Sequence, residues 1–374
     1  MMDAEALAAL TAELIRAESP DPPGDERRVA AVVADALAAA GLAREVVAFA
    51  PARANVLARL RGRGERPALV FSAHMDTLPA GEGPWTHPPF GAVRAGRHLY
   101  GRGACDMKSG LAAMIAAAAA LREADVPLAG DLVLAFTGGE SSNCLGARRL
   151  VETRALAGAG ALLVSEPSSL EVLVAEKGAL WLRVTAHGVA GHLSGGTDGG
   201  RDAIAMMTRV LPDLGRALPA GAHPLLGEAS LNVGRIAGGS AINLTPDRCS
   251  ADLDLRLLPA HDPDRVEAAV RARLGEGFTV ERLDWKPPVD TPPDDPFARL
   301  CRELCAEVRG AAVRPGGAAY FSDACVLAPA FDLPMVIIGP GALGGSGAVD
   351  ERVDVDDVHT AARLYRAIAR RRLG

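Results

Sequence analysis

Ala68-Leu69-Val70-Phe71-Ser72-Ala73-His74-Met75-Asp76 is an apolar run of strand length that stops on a histidine and a carboxylate. Three more runs end in comparable fashion. Asp131 to Phe136 enters Thr137-Gly138-Gly139-Glu140, Ala161 to Ser165 enters Glu166-Pro167, and Met335 to Ile338 enters Gly339-Pro340-Gly341. In α/β sheets, ligands and catalytic groups gather outside the carboxyl ends of strands, where loops aim several side chains at one point. These runs predict an α/β sheet with a site along one edge.

Outward from them, residues 3 to 41 predict two helices broken by Ser19-Pro20-Asp21-Pro22-Pro23-Gly24, the second stopped at Gly41. Strands and helices alternate to about Gly178, as in a sheet with crossover helices. The rhythm changes at Ala179, where Leu180, Leu182 and Val184 alternate with Trp181, Arg183 and Thr185. A helix over 202–218, strands near 230–236 and 250–257, a helix over 263–274 and a strand over 278–283 follow. That order predicts an α+β domain, 179–286, inserted into a larger α/β domain formed by 1–178 and 287–374. Pro287-Pro288 and Pro292-Pro293 mark the return. A chain of 374 residues exceeds one ordinary core.

Composition narrows the class. About half the residues, 49%, are apolar and the net charge is −6, which suits a soluble protein without a basic surface for nucleic acid. The longest apolar helical stretch, Gly110 to Leu121, is about half of the roughly 20 residues that span a bilayer, and predicts a buried helix rather than a membrane partner. Residues 1–18 lack a basic region followed by an apolar run and a cleavage site, so a cytoplasmic location is expected. Six scattered cysteines without a CxxC knuckle suit reduced thiols. Cys301 and Cys305, one helical turn apart, are expected to face a core.

His74 and Asp76 lie two apart, a spacing that puts side chains on one face of a strand. A metal-bound imidazole usually donates its second N–H to a carboxylate, which would fix its tautomer and angle. Alone, His-x-Asp more often marks a surface histidine. It gains weight from Gly101-Arg102-Gly103-Ala104-Cys105-Asp106-Met107-Lys108-Ser109-Gly110, a glycine-rich turn that exposes Asp106 before a helix; an ordinary helix cap would look the same. Glu140 follows two glycines and could serve as a general base. Glu166 could be an oxygen ligand, although either glutamate taken singly is more often a solvated loop charge.

Together the segments His74 to Thr77, Gly101 to Gly110, Phe136 to Ala147, Glu166 to Leu170, Gly188 to His192, Gly238 to Pro259 and Gly339 to Glu351 resemble the M20 family of zinc aminoacylases and peptidases, in the family's order and over nearly the whole chain. The resemblance implies a zinc-aminopeptidase-like catalytic domain with an inserted lid and dimerisation domain. It implies zinc ligands His74, Asp106 and Glu166, Asp76 as orienter, and Glu140 as base. His192 matches the histidine that reaches across a homodimer to steady the oxyanion, while Asn243 and Arg256 match substrate-binding positions, an Arg fork suiting a carboxylate. A small acyl amino acid or peptide-like amide is the implied substrate.

The pattern breaks in two places. Two-zinc members carry paired glutamates where this chain has Glu140-Ser141, and a histidine where Gly347 stands between Gly339-Pro340-Gly341 and Asp350-Glu351. No other histidine lies between Gly339 and Glu351, and His359 falls in the expected C-terminal helix. Serine is a poor substitute for a carboxylate at a divalent cation and glycine offers no side chain. Both changes strike one metal, so one zinc per chain is expected, with another divalent metal as an option. The glycine-rich loop Leu193 to Gly200 departs from the family's Ser- and Pro-containing stretch, which leaves the acyl pocket open. Three functions follow in order: a metal-dependent amidohydrolase, an acyl-transfer or amide-forming enzyme, and a catalytically silent ligand-binding homologue.

Overall fold

The strand Ala68–His74 sits inside the principal sheet, and its neighbours explain where a site forms. The protein is described here by a computed structural model covering residues 2–192 and 201–374; the loop 193–200, singled out above, lies outside the described residues. The chain forms two units. The first comprises Met1–Ala175, Val289–Gly317 and Ser322–Gly374, and the second Glu176–Pro288 with Ala318–Phe321. That last short segment is a contribution to the second unit that a division at residue 287 does not contain.

In the first unit the sheet order is Arg44–Ala50, Arg53–Leu60, Leu132–Thr137, Ala68–His74, Ala159–Val164, Met335–Ile337, Leu173–Glu176 and Val289–Asp290. Ala68–His74 pairs in parallel with Leu132–Thr137 on one side and Ala159–Val164 on the other. The chain therefore leaves this strand towards both sides of the sheet, and such a reversal opens a crevice at the carboxyl ends. His74, Glu140 and Glu166 lie at or just past those three ends.

The crossover helix Ser109–Glu123 is alanine-rich and buried almost all round, packing against the C-terminal helix Val355–Leu373. Small side chains allow that close approach. Among the described residues, one helical stretch, Ala104–Glu123, is long and apolar enough to cross a membrane, and 89% of its apolar window is buried within the chain, as in a core helix. His359 lies in Val355–Leu373. All six cysteines are buried and none forms a disulfide, Cys301 and Cys305 among them.

The second unit has a four-stranded antiparallel sheet in the order Ser230–Gly238, Arg248–Leu257, Gly178–His187, Phe278–Lys286. Leu180, Leu182 and Val184 join Leu253 and Leu255 in a core closed by Met207, Val266 and Val270 from two helices. The predicted helix over 202–218 divides into an α-helix, Ala203–Val210, and a tighter 3-10 turn, Leu211–Ala217. Pro212 explains the change, since proline supplies no N–H and crowds the preceding turn.

Candidate active site

Three side chains from separate parts of the first unit converge. His74, Asp106 and Glu166 each place a possible ligand atom within 4.8 Å of the others. His74 Nε2 is 2.9 Å from Asp106 Oδ1 and 3.6 Å from Glu166 Oε1. Burial works against the imidazolium, but Glu166, Asp106 and Asp76 outweigh it and push His74 well above its usual pKa. Asp106 and Glu166 bring carboxylate oxygens within 4.8 Å of one another, and two ionised carboxylates this close, being acceptors only, favour a proton or cation between them. The negative field and the N,O,O donor set fit a divalent ion such as zinc.

The turn carrying Asp106 is held by a residue that sequence reasoning did not select. Glu351 is buried, and its Oε1 accepts the backbone N–H groups of Gly103, Cys105 and Asp106 at 2.9, 2.9 and 3.1 Å. Its Oε2 accepts from buried Arg102. The Gly339-Pro340-Gly341 turn has a packing reason: a Cβ at Gly339 would lie 2.2 Å from the Glu166 carbonyl oxygen, and one at Gly341 2.4 Å from that of Cys105. Glycine lets this turn press against the loops that carry Glu166 and Asp106.

Asp76 orients the histidine differently from the sequence expectation. His74 Nδ1 meets the main-chain oxygen of Asp76 at 2.9 Å, whereas the Asp76 carboxylate lies 3.8 Å away. The strand ends at His74, so its two-residue side-chain period does not extend to Asp76. The carboxylate instead accepts the amides of Glu140 and Ser141, each at 3.1 Å, and fixes the turn that presents Glu140. Burial pushes the Glu140 carboxyl well above its usual pKa; His74 opposes this, while Asp323, Asp76 and Asp106 reinforce it. Asp323, also absent from the sequence reading, is buried and accepts from Thr137 Oγ1. Burial raises its pKa to about 6.

Beneath the site Lys108 is fully buried, its Nζ donating to the Ala17 carbonyl at 2.8 Å. Burial pulls its pKa from 10.5 to about 7, against the pull of Asp76, Glu351 and Glu18. Between those values the unfolded chain holds more protons than the folded one, so this group makes stability rise with pH. Lys108→Met is expected to gain on the order of a few kcal/mol over wild type near pH 7, with the gain shrinking towards pH 10. Urea midpoints of both proteins across that range check the slope.

In the second unit, His192 and Asn243 come together: Asn243 Nδ2 and His192 Nε2 are 3.3 Å apart, and both residues are exposed. Arg256 turns Nε and Nη2 onto Asp254 Oδ2 at 3.0 and 2.9 Å, with its guanidinium 5.0 Å from the Phe321 ring centre. Its buried Nη1 has no partner among the described residues. At the two positions where the resemblance implies lost ligands, Ser141 is tied through its backbone to Asp76, and Gly347 has a left-handed φ of 72°.

The Peptidase family M20/M25/M40 matches residues 70–371. The chain belongs to this family. A succinyl-diaminopimelate desuccinylase of Paracoccus denitrificans is 31% identical over 391 residues, spanning 97% of each chain. A Sulfolobus solfataricus M20 metallo-carboxypeptidase shares the fold with a TM-score of 0.81 at 17% identity, covering 99% of both chains. A Bacillus subtilis protein described as a dinuclear metal binding peptidase from M20 aligns with a TM-score of 0.67 at 18% identity, again over 99% of both. This M20 chain is accordingly a hydrolytic enzyme of the metal-dependent peptidase and desuccinylase type. Among its described residues, the one cluster suited to a metal is His74, Asp106 and Glu166.

Proposed function

We propose that this M20 protein hydrolyses the amide of an N-acyl amino acid or small peptide-like substrate, with one zinc ion held by His74, Asp106 and Glu166. The observation carrying the reading is the convergence of that triad, with Asp76 in contact with both His74 and the backbone of Glu140. Bound zinc would supply Lewis acidity, polarising the scissile carbonyl and easing loss of a proton from water. Glu140, whose proton affinity is raised by burial, takes that proton and returns it to the departing amine nitrogen. Asp76 keeps the base in place through the amides of residues 140 and 141. In the proposed homodimer His192, which meets Asn243 within its own unit, has the role of reaching across to the other subunit's site and offering a donor to the developing oxyanion.

Arg256 has the substrate-binding role in this reading, its Nη1 being a donor without a hydrogen-bond partner among the described residues and a guanidinium suiting a carboxylate. Arg256→Ala is expected to raise KM by about 10- to 100-fold, in line with roughly 1.5–3 kcal/mol for a hydrogen bond to a charged group. A smaller change in kcat accompanies it, and initial-rate kinetics separate the two. The name shared by the relatives points within the substrate class to an N-succinyl amino acid. A cytoplasmic homodimer belongs to the same proposal; the exposed edge strand Ser230–Gly238 of the second unit supports the dimer.

Ser141 and Gly347 stand in this reading where a second cation would need ligands. The test is chelator stripping and stepwise zinc reconstitution, with release of free amine measured from N-succinyl and N-acetyl amino acids and dipeptides. Zinc-restored amine release with stoichiometric free acid is expected. Acyl transfer to an added amine without free acid, or tight binding without turnover across the panel, would reject hydrolysis.

A further inference from the structure

Asp106 has two carboxylate oxygens, and each has a definite partner. Oδ1 faces His74 Nε2 inside the triad at 2.9 Å. Oδ2 accepts a hydrogen bond from the hydroxyl of Ser346. Ser346 lies 240 residues away in sequence, in the loop that follows Gly339-Pro340-Gly341. A carboxylate that bridges two cations with one oxygen on each needs both oxygens for metal, whereas here the chain itself occupies one.

The surrounding contacts show that this hydroxyl is placed rather than incidental. Arg102 Nη2 donates to the Gly347 carbonyl at 3.1 Å and Nη1 to the Ala348 carbonyl at 3.4 Å. The same guanidinium is anchored on Glu351, whose other oxygen holds the amide of Asp106. The Ser346 loop and the Asp106 turn are thus registered against one buried ion pair. On the opposite side of the loop, Gly345 N–H closes a turn onto the Ala342 carbonyl at 2.9 Å, and Cys105 Sγ donates to that same carbonyl at 3.4 Å. Position 347 could not easily serve instead. Its φ of 72° disfavours any side chain, and a Cβ there would meet Leu78 Cδ1 at 3.2 Å. Within this loop, the side chain delivered to Asp106 is that of residue 346.

We infer that Ser346 is a positioning residue that takes the place of a second cation at Asp106: its hydroxyl donates to Oδ2, fixes the carboxylate's rotation and leaves it a terminal ligand of a single metal ion. The inference rests on the reading that the triad holds a cation, and it adds which residue makes the site mononuclear. A neutral donor at Oδ2 orients the ligand as outer hydrogen-bond partners of metal ligands generally do; losing such a partner typically costs about 10- to 100-fold in metal affinity.

The experiment uses the full chain, stripped and reloaded with zinc, with metal per chain measured by mass spectrometry after gel filtration and zinc affinity by competition with a chromophoric chelator. Wild type is expected to retain one zinc. Ser346→Ala is expected to retain one zinc at about 10- to 100-fold weaker affinity, and Ser346→Thr, which keeps the hydroxyl, to stay within a few-fold of wild type. Pairing Ser346→His with Ser141→Glu is expected to raise the stoichiometry to two, whereas Gly347→His with Ser141→Glu stays at one. Two zinc ions in wild type, no zinc in wild type, or unchanged affinity in Ser346→Ala would overturn the inference. Because Ser346 is exposed, thermal unfolding of the metal-free variants should match wild type; a fall equal to the loss in metal affinity would make the role merely structural and overturn it too. Turnover does not enter these readouts, so a protein that binds zinc as stated and hydrolyses nothing would reject the proposed activity while leaving Ser346's role intact.

Discussion

Glu140→Gln is expected to lower kcat on a hydrolysed N-acyl amino acid by roughly 10²- to 10⁴-fold, the usual contribution of a positioned acid–base group, while zinc content stays at the wild-type level. The amide replacement retains the shape of the side chain and the Glu140 backbone N–H bond to Asp76, so the turn should persist. What disappears is a carboxylate able to accept a proton in a buried, negatively charged setting. Stability should move the other way. The folded pKa of Glu140 is raised by burial, so the folded chain binds more protons than the unfolded chain above the ordinary carboxylate range, and wild-type stability falls as pH rises through that window. Removing the titration should leave the variant as stable as wild type, or more so, at pH 7 to 8. Single-turnover rates, metal analysis and urea midpoints together separate loss of the base from loss of the fold. A rate unchanged in Glu140→Gln would remove this residue from the proposed mechanism.

The candidate site of the first unit was legible because its residues sit where apolar runs stop. His74, Glu140 and Glu166 follow strand residues that are buried on both faces, so hydrophobic patterning and site placement coincide. Asp76 was visible as a residue, but its contact was not, since the two-residue period of a strand ends with the strand at His74. The Gly-Pro-Gly turn is visible in the sequence but its reason is not, since that reason is the close approach of its backbone to Glu166 and Cys105. Ser346, Asp323 and Glu351 carried no local signal of their roles. Each acts through a hydrogen bond to a residue at least 186 positions away, and nothing in a short window specifies such a partner. In the second unit the buried alternation of Leu180, Leu182 and Val184 was readable, whereas the break in the helix required the local effect of Pro212 to be weighed against a longer apolar pattern.

Glu351→Ala is expected to destabilise the protein by about 3–5 kcal/mol, the range for removing one partner of a buried ion pair, and to weaken zinc binding with it. The two effects share a cause. Burial and the neighbouring Asp106 charge push the Glu351 carboxyl up, while the Asp106 amide and Arg102 pull the other way; the ionised form survives through those donors. Without it Arg102, only 3% exposed, becomes a buried cation left with its longer contacts to the carbonyls of residues 347 and 348. The amides of Gly103, Cys105 and Asp106 lose their common acceptor at the same moment. Glu351→Gln retains one acceptor oxygen and should fall between wild type and Ala in stability. If the carboxylate served only as a distant structural staple, zinc affinity measured on the fraction that remains folded would match wild type in both variants. The three amides lead directly into Asp106, so its loss instead allows the ligand to move: affinity should fall in the order wild type, Gln, Ala, in parallel with the unfolding midpoint. Equal midpoints for wild type and Ala would refute the anchoring role, and a lowered midpoint with equal zinc affinity would refute the coupling between this anchor and the metal ligand.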